Sequence, residues 1–88
     1  MAQTADTRLE ELREIVAEVL ELEPYEIEDD AHFQDSYGAD SLRAIEVLAR
    51  IEKRYKLDIP QSELPNMINL TAVYEVVSRC AGWPAAHT

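Results

Sequence analysis

Cysteine, glycine, proline and aromatics are all scarce in this 88-residue chain, which holds one Cys, one Trp, one Phe, two Gly and four Pro. A lone Cys80 excludes an internal disulfide and leaves a zinc site without its usual set of thiolate and imidazole ligands. With two glycines there is no Gly-rich phosphate cradle and little provision for the tight turns that join short strands, so the abundant Leu, Ile, Val, Ala, Glu and Arg predict an all-α fold. No apolar run approaches the ~20 residues of a membrane span, and no apolar signal core precedes the first helical pattern. A reducing, cytoplasmic setting is expected. Basic residues are also few, 8 against 18 acids for a net charge of −10. A surface that acidic repels phosphate backbones and anionic membranes, so nucleic acid and lipid are excluded as partners and basic protein surfaces are favoured. Catalytic spacings of the HExxH, GxSxG and P-loop kinds are missing, and His32 and His87 have no triad setting, which argues against an enzyme.

Hydrophobic residues nevertheless make up 47% of the chain, enough for one small core and too little for two. A single domain over residues 1–88 is expected. From Thr7 to Leu22, Leu9, Leu12, Ile15, Val16, Val19, Leu20 and Leu22 fall within an arc of about 160° at 100° per residue, with Glu10, Glu11, Glu14, Glu18 and Glu21 opposite as a solvated face. Asp6 or Thr7 is placed to cap this helix, and Pro24 disfavours helix at Glu23. Glu23 to Asp40 lacks periodicity and reads as a long loop whose apolar residues Tyr25, Ile27, Phe33 and Tyr37 pin it to the core. Its acids Glu26, Glu28, Asp29 and Asp30 lack the spacing of a calcium loop, so no metal is expected. A second main helix runs from Asp40 or Ser41 to about Lys56, a short segment over 62–67 follows Pro60, and a last helix over about 71–81 ends at Gly82, leaving residues 83–88 as a tail. The expected architecture is a small bundle of three main helices plus a short third one between them. Its core is expected at Leu12, Ile15, Val16, Val19, Phe33, Leu48, Ile51, Ile59, Val73 and Val77. Cys80 is expected on the buried side of the last helix, and Trp83 folded back on the helices, since full burial of a large apolar side chain contributes about 1.5–3 kcal/mol.

Two local features point to function. The helix at 41–56 has Leu42, Ala44, Ile45, Val47, Leu48, Ala49, Ile51 and Tyr55 over about 220°, wider than the ~100° stripe a single core contact needs; part of it faces something other than the core. Its remaining face carries Arg43, Glu46, Arg50, Lys53 and Arg54. At its start, Asp40 is placed to accept the Arg43 backbone N–H, which frees the Ser41 hydroxyl at a helix N-terminus suited to phosphate.

Through Gly38-Ala39-Asp40-Ser41-Leu42, Ile45-Glu46, Leu48, Ile51-Glu52, Tyr55 and Asp58-Ile59-Pro60, the chain resembles the acyl carrier protein family, whose attachment signature is Asp-Ser-Leu at the start of the second helix. The four-segment order extends the resemblance over essentially the whole chain. It implies that a phosphopantetheinyl transferase attaches 4′-phosphopantetheine from coenzyme A to Ser41, with Asp40 and Leu42 flanking the site and Asp40 assisting the transferase's metal. It implies also that the arm holds acyl groups as thioesters for a ketosynthase, acyltransferase or other acyl-processing enzyme, the carrier itself being a monomer without catalysis. The partner-docking face maps to Leu42, Glu46, Ala49 and Glu52.

The second helix departs from carriers of primary fatty acid synthesis, which resemble this pattern with more acids there; Arg43, Arg50, Lys53 and Arg54 interrupt it. A dedicated polyketide or specialised fatty acyl pathway is the reading that follows. An aminoacyl or peptidyl carrier, more often marked by GGHS or GGDS than by the GADS found here, shares the arm, and a cofactor-free helical interaction module shares the wide apolar face. Residues 1–40 hold 13 acids and 2 bases, so screening over ~8–10 Å is expected to relieve like-charge repulsion. Thermal melts should show the melting temperature rising from low to physiological ionic strength.

Overall fold

In a computed structural model, which describes residues 5–83, the chain forms α1 (Ala5–Leu20), α2 (Phe33–Tyr37), α3 (Ser41–Tyr55) and α4 (Leu70–Ala81), with 3-10 turns at Pro24–Glu26 and Gln61–Asn66. There is no strand among the described residues. The expected all-α architecture is the one observed, with the short third helix present as the 3-10 turn. Helix α1 packs against both α3 and α4, and the Gln61–Asn66 turn contacts α3 and α4. All ten expected core residues are buried, joined by Ala17, Ile27, Val47, Met67, Leu70, Tyr74 and Val76.

The stretch 23–40 is more ordered than a long loop. Pro24 opens a 3-10 turn closed by a capping box between Glu23 and Glu26, and Phe33–Tyr37 forms a helical turn and a half. The stretch is also tied down by hydrogen bonds: the Thr71 N–H and hydroxyl donate to the Asp29 carbonyl at 3.0 and 3.1 Å, the Phe33 N–H donates to the Ile68 carbonyl at 2.8 Å, and the Glu28 N–H donates to the Tyr37 hydroxyl at 2.9 Å. Ile27 and Phe33 are buried as expected, but Tyr25 is 84% exposed: the Pro24 turn directs it outward instead of pinning the segment.

Each of the four helices ends on a residue in the left-handed region, Glu21 (φ 60°), Gly38 (67°), Lys56 (55°) and Gly82 (75°). In every case the next residue is apolar and donates its N–H back to the last helical turn: Leu22 to Ala17, Ala39 to Phe33, Leu57 to Glu52 and Trp83 to Ser78, at 2.9–3.2 Å. Leu22, Ala39, Leu57 and Trp83 all pack on the core, so each cap satisfies helix-end carbonyls and anchors the chain as it turns. Helix α1 therefore stops at Glu21, ahead of Pro24. At its other end the helix is described from Ala5, which places Asp6 and Thr7 in its first described turn.

Most of the expected solvated glutamates of α1 have partners. Glu10 pairs with Arg13 at 3.0 Å, Glu18 with Arg50, Glu21 with Arg43 at 3.3 Å and Glu11 with Arg8 at 3.5 Å. Arg13 also binds the Ile27 carbonyl and Asp29, and its bonds to Glu10 and then Asp29 raise its already high pKa against the opposing effect of burial. Tyr55 donates its hydroxyl to Glu11 at 2.7 Å. Its ring meets Trp83 edge-on at 4.8 Å, Trp83 lies 5.8 Å from Tyr74, and the Arg8 guanidinium sits 4.7 Å over the Trp83 ring. Trp83 thus folds back as expected; the rest of the 83–88 tail, including His87, lies outside the described residues. Cys80 is exposed rather than buried. Its position around the helix matches the apolar side, and it lies in the last turn of α4.

A side chain in the left-handed region costs about 1–2 kcal/mol where glycine costs little. Lys56→Gly should therefore raise stability by about 0.5–1 kcal/mol, whereas Gly82→Ala should lower it by about 1 kcal/mol, both read from urea unfolding midpoints. Burial, then the hydrogen bond and charge of Glu11, raise the Tyr55 phenol above its ordinary value near 10, against the smaller lowering by Arg54 and Arg8. Its contribution to stability is whole below pH 10 and is lost as pH climbs towards the folded-state value, because the unfolded phenol ionises first. Melting temperatures above pH 10 should fall less steeply in Tyr55→Phe than in the parent chain.

Candidate functional site

Helix α3 begins where the chain leaves the left-handed Gly38, so its first turn projects at the surface. Asp40 is the cap residue in an extended conformation, and its Oδ1 accepts the Arg43 N–H at 3.1 Å while its carbonyl accepts the Ala44 N–H at 3.1 Å. Ser41 is the first helical residue and is exposed. Its hydroxyl has no partner among the described residues, and neither do the N–H groups of Ser41 and Leu42. No carboxylate lies within the first turn. Partnerless N–H groups at the positive end of a 15-residue helix suit a phosphate esterified to that hydroxyl.

Beside Ser41 opens a cavity of about 340 Å³, at the small end of the ~300–1,000 Å³ usual for ligand pockets. Its walls come from α1 (Val16, Leu20), α2 (Phe33), α3 (Ala44, Val47) and the segment from Leu64 into α4, and Asp40 and Ser41 are also among its lining residues. Arg43 borders it as well, held by hydrogen bonds to the Val19 carbonyl at 2.9 Å and Glu21 at 3.3 Å. Its lining is mostly apolar, and Ser41 stands among its borders.

The wide apolar arc of α3 divides three ways. Val47, Leu48 and Ile51 are core, Ala44 faces the cavity, and Leu42 (70% exposed) and Ile45 (40%) meet solvent. Ala49 is exposed on the same helix. Of the acids expected to dock partners, Glu46 is half-buried and paired with Arg50 at 3.5 Å and Arg43 at 3.7 Å. Glu52 accepts the Ile59 N–H at 2.9 Å and so holds the segment after α3 in place. Ile68, 43% exposed and lining the cavity, extends the apolar surface. Sequence reasoning missed it because it sits in an aperiodic segment. No group of three or more His, Cys, Asp or Glu among the described residues is arranged to hold a metal ion, and no helix there is long and apolar enough to cross a membrane.

Comparison with known proteins agrees with this geometry. The family described as the phosphopantetheine attachment site matches residues 10–77. Polyketide-8 synthase acyl carrier protein 1 of Streptomyces avermitilis is 46% identical over 74 residues, covering 84% of this chain and 88% of that protein. Acyl carrier protein 2 of the same synthase is 39% identical over 93% of this chain and 97% of its own length. The acyl carrier protein of Streptomyces coelicolor is 34% identical over 100% and 99%. A chain in the solved structure of the ishigamide ketosynthase/chain length factor superimposes with a TM-score of 0.73 at 39% identity, covering 86% of this chain and 96% of that one. The chain belongs to the acyl carrier protein family. It is a carrier with a 4′-phosphopantetheine cofactor rather than an enzyme.

Proposed function

We propose that this single-domain, monomeric, cytoplasmic carrier holds polyketide intermediates as thioesters on a 4′-phosphopantetheine arm esterified to Ser41. The observation that carries the reading is the exposed, partnerless Ser41 hydroxyl on the first turn of α3, beside an apolar cavity. Asp40 supports it by taking over the capping duty a serine would otherwise share, which leaves Oγ free to form the phosphoester. The two Streptomyces avermitilis relatives, both polyketide synthase carriers, support the polyketide assignment. Arm attachment falls to a phosphopantetheinyl transferase. Acyl exchange falls to a ketosynthase with its chain length factor, and to acyltransferases, approaching over Leu42, Ile45 and Ala49. The ion-paired Glu46 borders that face, and Glu52 acts from beneath by fixing the Ile59 segment.

Incubation with coenzyme A and a broad-specificity phosphopantetheinyl transferase should add one phosphopantetheine to the intact mass of the parent chain and none to Ser41→Ala, whose circular dichroism should be unchanged. An adduct surviving in Ser41→Ala would overturn the assignment. Leu42→Ala should weaken ketosynthase binding by about 1–2 kcal/mol without altering the melting temperature.

A further inference from the structure

Eight bases stand against 18 acids in this chain, so a base with no acid beside it is the case to explain. Five of the eight, Arg8, Arg13, Arg43, Arg50 and Arg79, are ion-paired with carboxylates of the same chain. The other three, Lys53, Arg54 and Lys56, fall together at the end of α3, exposed and with no ion pair among the described residues. Arg54 lies 5.8 Å over the ring of Tyr55, and Lys56 is the left-handed cap on which the helix ends. The helix dipole favours any base in this turn, a role the three share. Direction around the helix separates them. At 100° per residue Lys53 falls with Leu42, Glu46 and Ala49 inside an arc of about 60°, whereas Arg54 lies about 100° further round. The docking face therefore continues past Ala49 to Lys53, about 16 Å along the axis from Leu42 at 1.5 Å per residue. Its free charge has the opposite sign to that of the whole chain. Leu42 and Ala49 are uncharged and Glu46 is held by Arg43 and Arg50, which leaves the exposed Lys53 ammonium as the charge on that arc without an ion pair.

We propose that Lys53 is a specificity-determining contact of this carrier, meeting an acidic patch on the ketosynthase and chain length factor at the end of the docking face remote from Ser41. The inference rests on the carrier reading above and adds the charge that the partner presents there. A positive end on an otherwise acidic molecule gives the encounter a polarity. The acids before Ser41 are drawn to basic surface and Lys53 to acidic surface, so a partner bearing both signs in that order fixes which way α3 lies across it. Charges at the margin of an interface set register and exclude wrong partners more than they add affinity. An enzyme whose docking surface is basic throughout is repelled at Lys53, and one with a carboxylate at that point is accepted.

The test uses the carrier with its arm attached to Ser41 and, as probe, the ishigamide ketosynthase/chain length factor. At low ionic strength the dissociation constant should rise about threefold in Lys53→Gln and about tenfold or more in Lys53→Glu, and stay within about a factor of two in Lys53→Arg. Arg54→Glu makes the same change in net charge one residue away and off the face, and should alter binding by less than about threefold. A carbodiimide, which condenses an amine with a carboxylate in contact with it, should join Lys53 to an Asp or Glu of the probe, seen as a linked peptide pair by mass spectrometry. Equal losses in Lys53→Glu and Arg54→Glu would reduce the effect to overall charge and overturn the proposal. Unchanged or tighter binding of Lys53→Glu, a parent chain that does not bind the probe, or no link at Lys53 would each overturn it as well. The link is read on the parent chain, so it decides even where a variant folds poorly. If the transferase adds no arm to Ser41, the carrier reading itself has failed, an outcome visible in the intact mass before any binding is measured.

Discussion

Helix α1 has to serve two helices with one apolar face. Leu12, Val16 and Val19 are buried, and the helix that carries them packs on both α3 and α4, so its stripe is shared between two partners. That sharing leaves α3 and α4 leaning on a common support, with the six-residue turn Gln61–Asn66 between them. An irregular turn containing Pro65 fills a gap less completely than a helix with regularly spaced side chains. The cavity lies where that filling is incomplete, bounded by Leu64, Pro65, Met67 and Ile68 on one side and by Ala44 and Val47 on the other. The cavity is thus a by-product of how the central helix is covered.

Charge follows the same division of labour. The acids concentrated before Ser41 are balanced in part by Arg43 and Arg50, which reach from α3 to Glu21 and Glu18 on α1. Exposed pairs of this kind contribute at most about 1 kcal/mol each, and their more useful effect is directional. Arg43 also donates to the Val19 carbonyl, which fixes the first turn of α3 against the end of α1 and holds the Ser41 surface in one orientation. Two of the bases that set this α3 apart from a uniformly acidic one therefore have an internal task, and the acidic character left for partners lies mainly on the segment between α1 and α3.

Amphipathic periodicity was enough to locate α1, α3 and α4 and to name ten core residues, because burial on a regular helix repeats with the helix itself. The Asp40 cap was equally readable, since an aspartate before an apolar helix start has one obvious acceptor role. What escaped the sequence lacked a period. The helical turn Phe33–Tyr37 is too short to show one, and Tyr25 and Ile68 lie in segments where exposure depends on tertiary placement. Cys80 shows a second limit, since a helical wheel gives the direction of a side chain and not whether a neighbour covers it. Glu52 shows a third. Its family resemblance suggested a surface role, while its hydrogen bond to Ile59 depends on the left-handed Lys56 bending the chain back towards it.

The aromatic cluster of Tyr55, Tyr74 and Trp83 has an optical consequence. Trp83 is the sole indole in the chain, it is stacked under the Arg8 guanidinium and against two tyrosines, and it does not border the cavity. Its emission therefore monitors the seam where α1, α3 and α4 converge, free of direct quenching by cargo. A change in its spectrum would register a shift of these helices relative to one another, making this residue an intrinsic strain gauge for the bundle.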